Sequence, residues 1–210
     1  MHSHPLPGRL TVSAWLLSVA TLSFVMSATP GPNNVLFAAS GARVGYARTL
    51  PGIAGMLTGF AMILAACAAG IGEVVARAPR AQLAMTVVAS TYMLWLARRL
   101  WTADTTSLAQ GSDARGLITW WQMAVFQLAN PKTWLASLAF ASGYLAANSP
   151  GGVTVDVVGV CVFLLVVSVS ASAWTLLGAA FRARLSSPHW KRFNRTLAVV
   201  AVLTIATFWL

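Results

Sequence analysis

The chain has 210 residues, of which 58% are hydrophobic and 9% charged, and its formal net charge is +10. A soluble domain carries about 25% charged residues, so this composition excludes a soluble globular fold and points to a chain spent almost wholly inside a bilayer. The positive charge would suit nucleic acid, but its placement along the sequence excludes that partner.

Runs of about 20 apolar residues read as membrane-spanning helices. Six such regions occur: 10–29 continuing past a break to 42, then 50–72, 83–101, 117–146, 153–180 and 193–210. The expected fold is an all-α integral membrane protein formed as one transmembrane domain over 1–210. Ten of the 14 basic residues fall in the first, third and fifth gaps, three fall on the other side, and Lys132 lies inside the fourth span. That bias follows the positive-inside rule and puts both termini outside, with the arginines and lysines against anionic headgroups.

Residues 1–9 read as a short tail, and His2 and His4 as part of a disordered end rather than metal ligands. The apolar stretch over 10–28 is too long for a signal peptide, and Met26-Ser27-Ala28 is a poor cleavage match, so retention is expected. Then comes Thr29-Pro30-Gly31-Pro32-Asn33-Asn34. Proline lacks an N–H and clashes with the preceding turn, so a helix must break here. In lipid the freed backbone groups need partners inside protein or a water-filled cavity. Asn33 and Asn34 bring amide donors and acceptors to that place. The competing reading is a polar loop between two short helices.

The second span, opening at Pro51 and closing at Glu73, contains Gly55 and Gly59, whose spacing allows close helix approach and a homodimer contact. The third ends in Tyr92 to Trp101, where aromatics and Arg98-Arg99 mark a membrane boundary. Residues 102–115 are polar and read as a cytoplasmic linker between half one, about 10–101, and half two, about 116–210.

The fourth span is interrupted at Asn130-Pro131, the counterpart of the first break. Each half begins with an over-long segment broken by Asn and Pro, and three spans per half turn the second half upside down. The expectation is therefore six transmembrane helices in two inverted three-helix repeats with proline-broken first helices, and a transporter's midplane site between the breaks. Lys132 is the one charge well inside a span. An intramembrane lysine is costly and marks function by default; the competing reading is a side chain that snorkels to the interface. It could face a substrate carboxylate. In the fifth span Ser168 and Ser172 share a face and could line a polar path or simply pack. Neither Cys67 nor Cys161 has a partner for a disulfide or a metal, so both read as apolar filler. The last span is short, its 15 residues from Thr196 to Leu210 marginal for a bilayer of about 30 Å at ~1.5 Å per residue.

No phosphate-binding loop, dinucleotide fingerprint or metal-spaced His/Cys motif occurs, so no cofactor, metal or enzyme activity is expected. Residues 28–34 look like the signature near the first span of the LysE/RhtB amino-acid exporters. Phe126 to Trp134 resembles that family's Asn-Pro-Lys block, Tyr92 to Trp101 its ending of span three, and Trp174 with Leu177-Gly178 and the basic run to Arg195 its span-five end. The resemblance implies a six-helix secondary exporter of amino acids or close derivatives in the bacterial inner membrane, driven by the proton gradient. Many members carry an acidic residue in span two or five, where this chain has Phe60 and Ser170, so a neutral amino acid fits better than a cationic one. Thr29, Pro30, Gly31, Pro32, Asn33, Asn34, Asn130, Pro131, Lys132, Ser168 and Ser172 are the expected pathway residues. The rival readings are an ion or metal exporter of similar plan and a non-transporting membrane scaffold.

Overall fold

The computed structural model describes residues 11–102, 118–145, 150–184 and 187–209. The expected linker at 102–115 and the tail with His2 and His4 lie almost entirely outside the described residues. Among those described there are helices and no strands: α1 (Val12–Ala28), α2 (Pro32–Val44), α3 (Tyr46–Ala68), α4 (Ile71–Ala76), α5 (Pro79–Trp101), α6 (Trp120–Ala129), α7 (Pro131–Tyr144), α8 (Gly152–Arg184) and α9 (Ser187–Trp209).

Both expected breaks are present. Thr29 and Gly31 are extended, and α1 and α2 meet at 65°. Asn130 is extended between α6 and α7. Prolines stand at the first position of α2, α5 and α7, where a missing N–H costs nothing.

Several boundaries differ from the sequence reading. The gap expected around Arg43 and Arg48 shrinks to Gly45, whose φ of 83° turns α2 directly into α3. α3 therefore starts at Tyr46, and Pro51, expected to open the span, lies inside the helix. At its other end Gly70, left-handed at φ 84°, stops α3, so Glu73 sits in the separate α4 and pairs with Arg77 at 3.1 Å. α9 has 23 residues, because the basic stretch before Thr196 is itself helical; the apolar part is still the stretch from Thr196 onward, and α9 does not by length and composition qualify as a span.

By length and composition alone, α3 and the 152–181 stretch of α8 are long and apolar enough to cross a membrane, and the bent α1–α2 pair makes a third. The exterior is rich in large apolar side chains, among them Leu17, Phe24, Val153, Leu165 and Leu203, each more than 60% exposed. The interior holds Ser23, Ser40, Thr49, Gln127, Thr133 and Ser137, all buried. A water-soluble fold cannot present that exterior; a bilayer-embedded bundle can.

α1 and α2 lie along α8; α6 and α7 lie along α3; α5 packs on α9. The closest approaches are backbone to backbone. A Cβ on Gly178 would fall 2.0 Å from the Ala38 carbonyl oxygen, and one on Gly55 would fall 1.9 Å from that of Trp120. The glycine face of α3, whose spacing allows close helix approach, packs within the chain against α6, because only glycine lets these two backbones come so close.

Candidate functional site

The two breaks, about a hundred residues apart in sequence, converge. Between them lies a small cavity of about 40 Å³, walled by both breaks and by α3 and α8. A volume of that size admits a few waters and no amino acid. Gly31, Pro32, Asn33, Asn34, Asn130 and Lys132 line it, as the sequence suggested. Thr29 joins them through Lys132, while Pro30 and Pro131 shape the backbone of the breaks from outside the lining. Ser168 and Ser172 do not reach it. Ser172 accepts a hydrogen bond from the Tyr46 hydroxyl at 3.1 Å instead. The serine of α8 that does line the cavity is Ser170, one helical step between the two.

Each break solves its backbone accounting differently. At the second, the Asn130 side-chain oxygen accepts from the Lys132 amide at 3.1 Å, and the Asn130 carbonyl accepts from the Thr133 amide at 3.0 Å. This is a self-contained N-cap. At the first, Gly31 offers α2 no side-chain cap. Of the carbonyls ending α1, those of Val25 and Met26 accept from the Thr29 hydroxyl at 3.1 and 3.3 Å, and those of Ser27 and Thr29 are served by other residues. Asn34 Nδ2 donates to the Ser27 and Thr29 carbonyls at 2.8 and 2.9 Å. Ser170 Oγ donates to Ser27 at 2.9 Å. Lys132 Nζ donates to the Thr29 carbonyl at 3.2 Å and contacts Thr29 Oγ1 at 2.8 Å.

Behind the cavity the breaks are tied together by one residue that sequence reasoning quoted without selecting. Gln127, fully buried, donates to Asn33 Oδ1 at 3.2 Å and accepts from Asn33 Nδ2 at 3.0 Å. It also accepts from Thr133 Oγ1 at 2.9 Å and donates to the Met123 carbonyl at 3.1 Å. A glutamine three residues before the break, the one polar side chain between Met123 and Ala129, was the available signal.

Ser27 and Thr133 also line it, and the remaining wall is apolar: Met26, Met56, Phe60, Ala136, Phe163, Val167 and Ala171. On one side the aromatics continue as a column. Phe60 meets Phe163 at 5.9 Å between ring centres, Phe163 meets Phe140 at 5.0 Å, Phe140 meets Tyr144 at 5.9 Å, and Tyr144 meets Trp15 at 6.2 Å. Among the described residues no carboxylate or histidine lines the cavity, and Lys132 is the only cation that does.

A bundle with an apolar exterior, an apolar core that also holds buried Ser, Thr, Asn and Gln side chains, and two broken helices meeting at a small cavity is a multi-pass membrane protein of the transporter class. The LysE type translocator family profile matches residues 24–209, and the chain belongs to that family. Among its relatives, the cysteine/O-acetylserine efflux proteins of Escherichia coli K12 and of Shigella flexneri are each 27% identical over 183 residues, covering 87% of this chain and 91% of theirs. No solved structure matches the chain significantly. Membership sets the chain among translocators rather than enzymes.

Proposed function

We propose that this protein exports amino acids or close derivatives, neutral ones in particular, across the bacterial inner membrane. The observation that carries this reading is the meeting of the two breaks around one small cavity, with the Lys132 ammonium on the end of α1. A scaffold gains nothing from breaking two helices at one place. The relatives' named cargoes, cysteine and O-acetylserine, are small and carry no net side-chain charge, which suits a wall of methionine, phenylalanine and alanine without a carboxylate.

A zwitterion has two ends to satisfy. The first turn of α2, uncapped and positive by its dipole, suits the carboxylate. The carbonyl end of α1 suits the ammonium. Asn33, Asn34 and Asn130 add amide hydrogen bonds, and Lys132 supplies the charge of the site. The lysine's contact with Thr29 moves its role away from the substrate carboxylate that the sequence alone suggested.

Six spans follow if the bent pairs α1–α2 and α6–α7 each cross once, beside α3, α5, α8 and α9. The packing of α1 and α2 on α8 and of α6 and α7 on α3 supports two inverted three-helix halves in a single domain, joined through the segment around 102–115. A cavity too small for its cargo must open by helix movement, so transport runs by alternating access, with one half rocking against the other. The proton gradient drives it, and the charge bias keeps both termini outside.

The test is an efflux screen. Cells expressing the chain, or Asn130→Ala, are loaded with a dipeptide panel and the released amino acids are quantified. Release of one or a few neutral amino acids, reduced in the variant, is the expected result. Equal release from both, with the protein in the membrane, overturns the reading.

A further inference from the structure

Coupling to protons requires a group that binds and releases one, and such a group must sense the substrate. Among the described residues Lys132 is the sole ionisable side chain lining the cavity. It sits half-buried at the rim, next to exposed Thr29, where water can reach it when the halves part. Its surroundings offer no substitute. Neither α1 nor α6 has a charged residue. Arg43 of α2, Tyr46, Arg48 and Cys67 of α3, and Glu73 of α4 stay off the cavity wall. So do Arg80, Tyr92, Arg98 and Arg99 of α5, and Asp156 and Cys161 of α8.

What the ammonium holds matters as much as where it is. Thr29 caps the C-terminus of α1, so Lys132 rests on the negative end of a helix dipole and on a carbonyl with no intrahelical donor. That carbonyl end is also the part of the site that suits a substrate's α-ammonium. Two cations cannot share it, since like charges this close repel strongly where water is excluded.

We propose that Lys132 is the proton carrier of the cycle, its ammonium and the substrate's α-ammonium occupying the C-terminal end of α1 in turn. This rests on the exporter reading above and assigns the coupling group within it. Facing the cytoplasm, the zwitterion displaces Lys132, whose N–H⁺ passes its proton to cytoplasmic water and leaves a neutral amine. Facing outward, the substrate departs, the amine takes a proton from external water, and the ammonium returns to Thr29. One neutral zwitterion leaves and one proton enters per turn, so each cycle moves one positive charge inward.

The experiment uses the full chain in proteoliposomes with labelled O-acetyl-L-serine and L-cysteine. Exchange of labelled for unlabelled substrate is measured without a gradient, and uphill accumulation with an imposed pH difference. At one proton per substrate, one pH unit sustains about tenfold accumulation in the wild type. Lys132→Gln, a fixed neutral side chain, should bring accumulation to unity while exchange stays measurable, even if slower. Lys132→Arg, a fixed cation, should lose both, because it never leaves Thr29. Continued pH-driven accumulation by Lys132→Gln overturns the proposal, and so does loss of its exchange while its thermal unfolding matches the wild type. If Lys132→Gln does not fold, Lys132→Met replaces it with the same expectations. A wild type that exchanges neither compound nor any neutral amino acid fails at the exporter reading, and the proposal falls with it.

Discussion

The two helix breaks perform one geometric task by opposite means. The second is finished locally: Asn130 caps α7 with its own side chain and carbonyl. The first is left open: its α2 end has no side-chain cap, and its α1 end borrows donors from α2, α7 and α8. A locally satisfied break keeps its shape whatever its neighbours do. A break satisfied from three other helices changes its hydrogen bonds whenever those helices move. Under the proposed function, the first break is where movement and ligand would be coupled, and the second the fixed wall it works against.

The contrast should vanish at the glycine seams, where both halves are pinned alike. Gly178→Val drives side-chain atoms into the backbone of α2, and Gly55→Val into that of α6. Overpacking of this kind costs about 3 kcal/mol. Both variants should lower the thermal unfolding temperature of the detergent-purified protein strongly and by similar amounts. A much smaller loss at one seam would show that the two halves are not held equivalently.

The next largest effect falls on the tie between the breaks. Gln127→Leu keeps the volume but strands the Asn33 amide and the Thr133 hydroxyl in a buried place. An unsatisfied buried group costs about 1–3 kcal/mol. Reduced unfolding temperature together with reduced efflux is expected. Wild-type efflux from Gln127→Leu would mean that the breaks work independently.

Much of this was legible in the sequence, and the reasons differ by feature. The breaks were readable because proline's missing N–H acts locally. The membrane fold was readable because composition is a sum over the chain. Gly45 and Gly70 were harder: a single left-handed glycine ends a helix as surely as a loop does, yet hydropathy runs past it. Gln127 was missed because its importance lies in reaching Asn33, 94 positions away. The choice of Ser168 and Ser172 over Ser170 was an error of helical phase. The face of α8 turned to the cavity depends on where α1 and α2 settle, which tertiary packing decides.

A finer probe of the opening contrast compares the two asparagines. Asn130→Ser retains a short oxygen that can cap α7, so it should recover most of the ~1 kcal/mol that Asn130→Ala loses. Asn34→Ser has no such refuge. Its hydroxyl is too short to span to both the Ser27 and Thr29 carbonyls, so it should unfold and export like Asn34→Ala. Full rescue at position 34 would show that the first break is also locally capped, and the distinction between the two would be lost.

The smallest effects separate Ser170 from its neighbours. Ser170→Ala removes one hydrogen bond to the Ser27 carbonyl, and an interhelical hydrogen bond inside a membrane protein averages about 0.6 kcal/mol. Stability should barely register that, but transport should. The carbonyl it leaves belongs to the end of α1 that receives the substrate's ammonium, and a looser end should raise the substrate concentration needed for half-maximal efflux. Ser168→Ala touches no cavity wall, so both quantities should stay at wild-type values. Efflux that falls equally in the two variants would mean that the polar path follows the face of α8 read from the sequence, and not the one turned toward the first break.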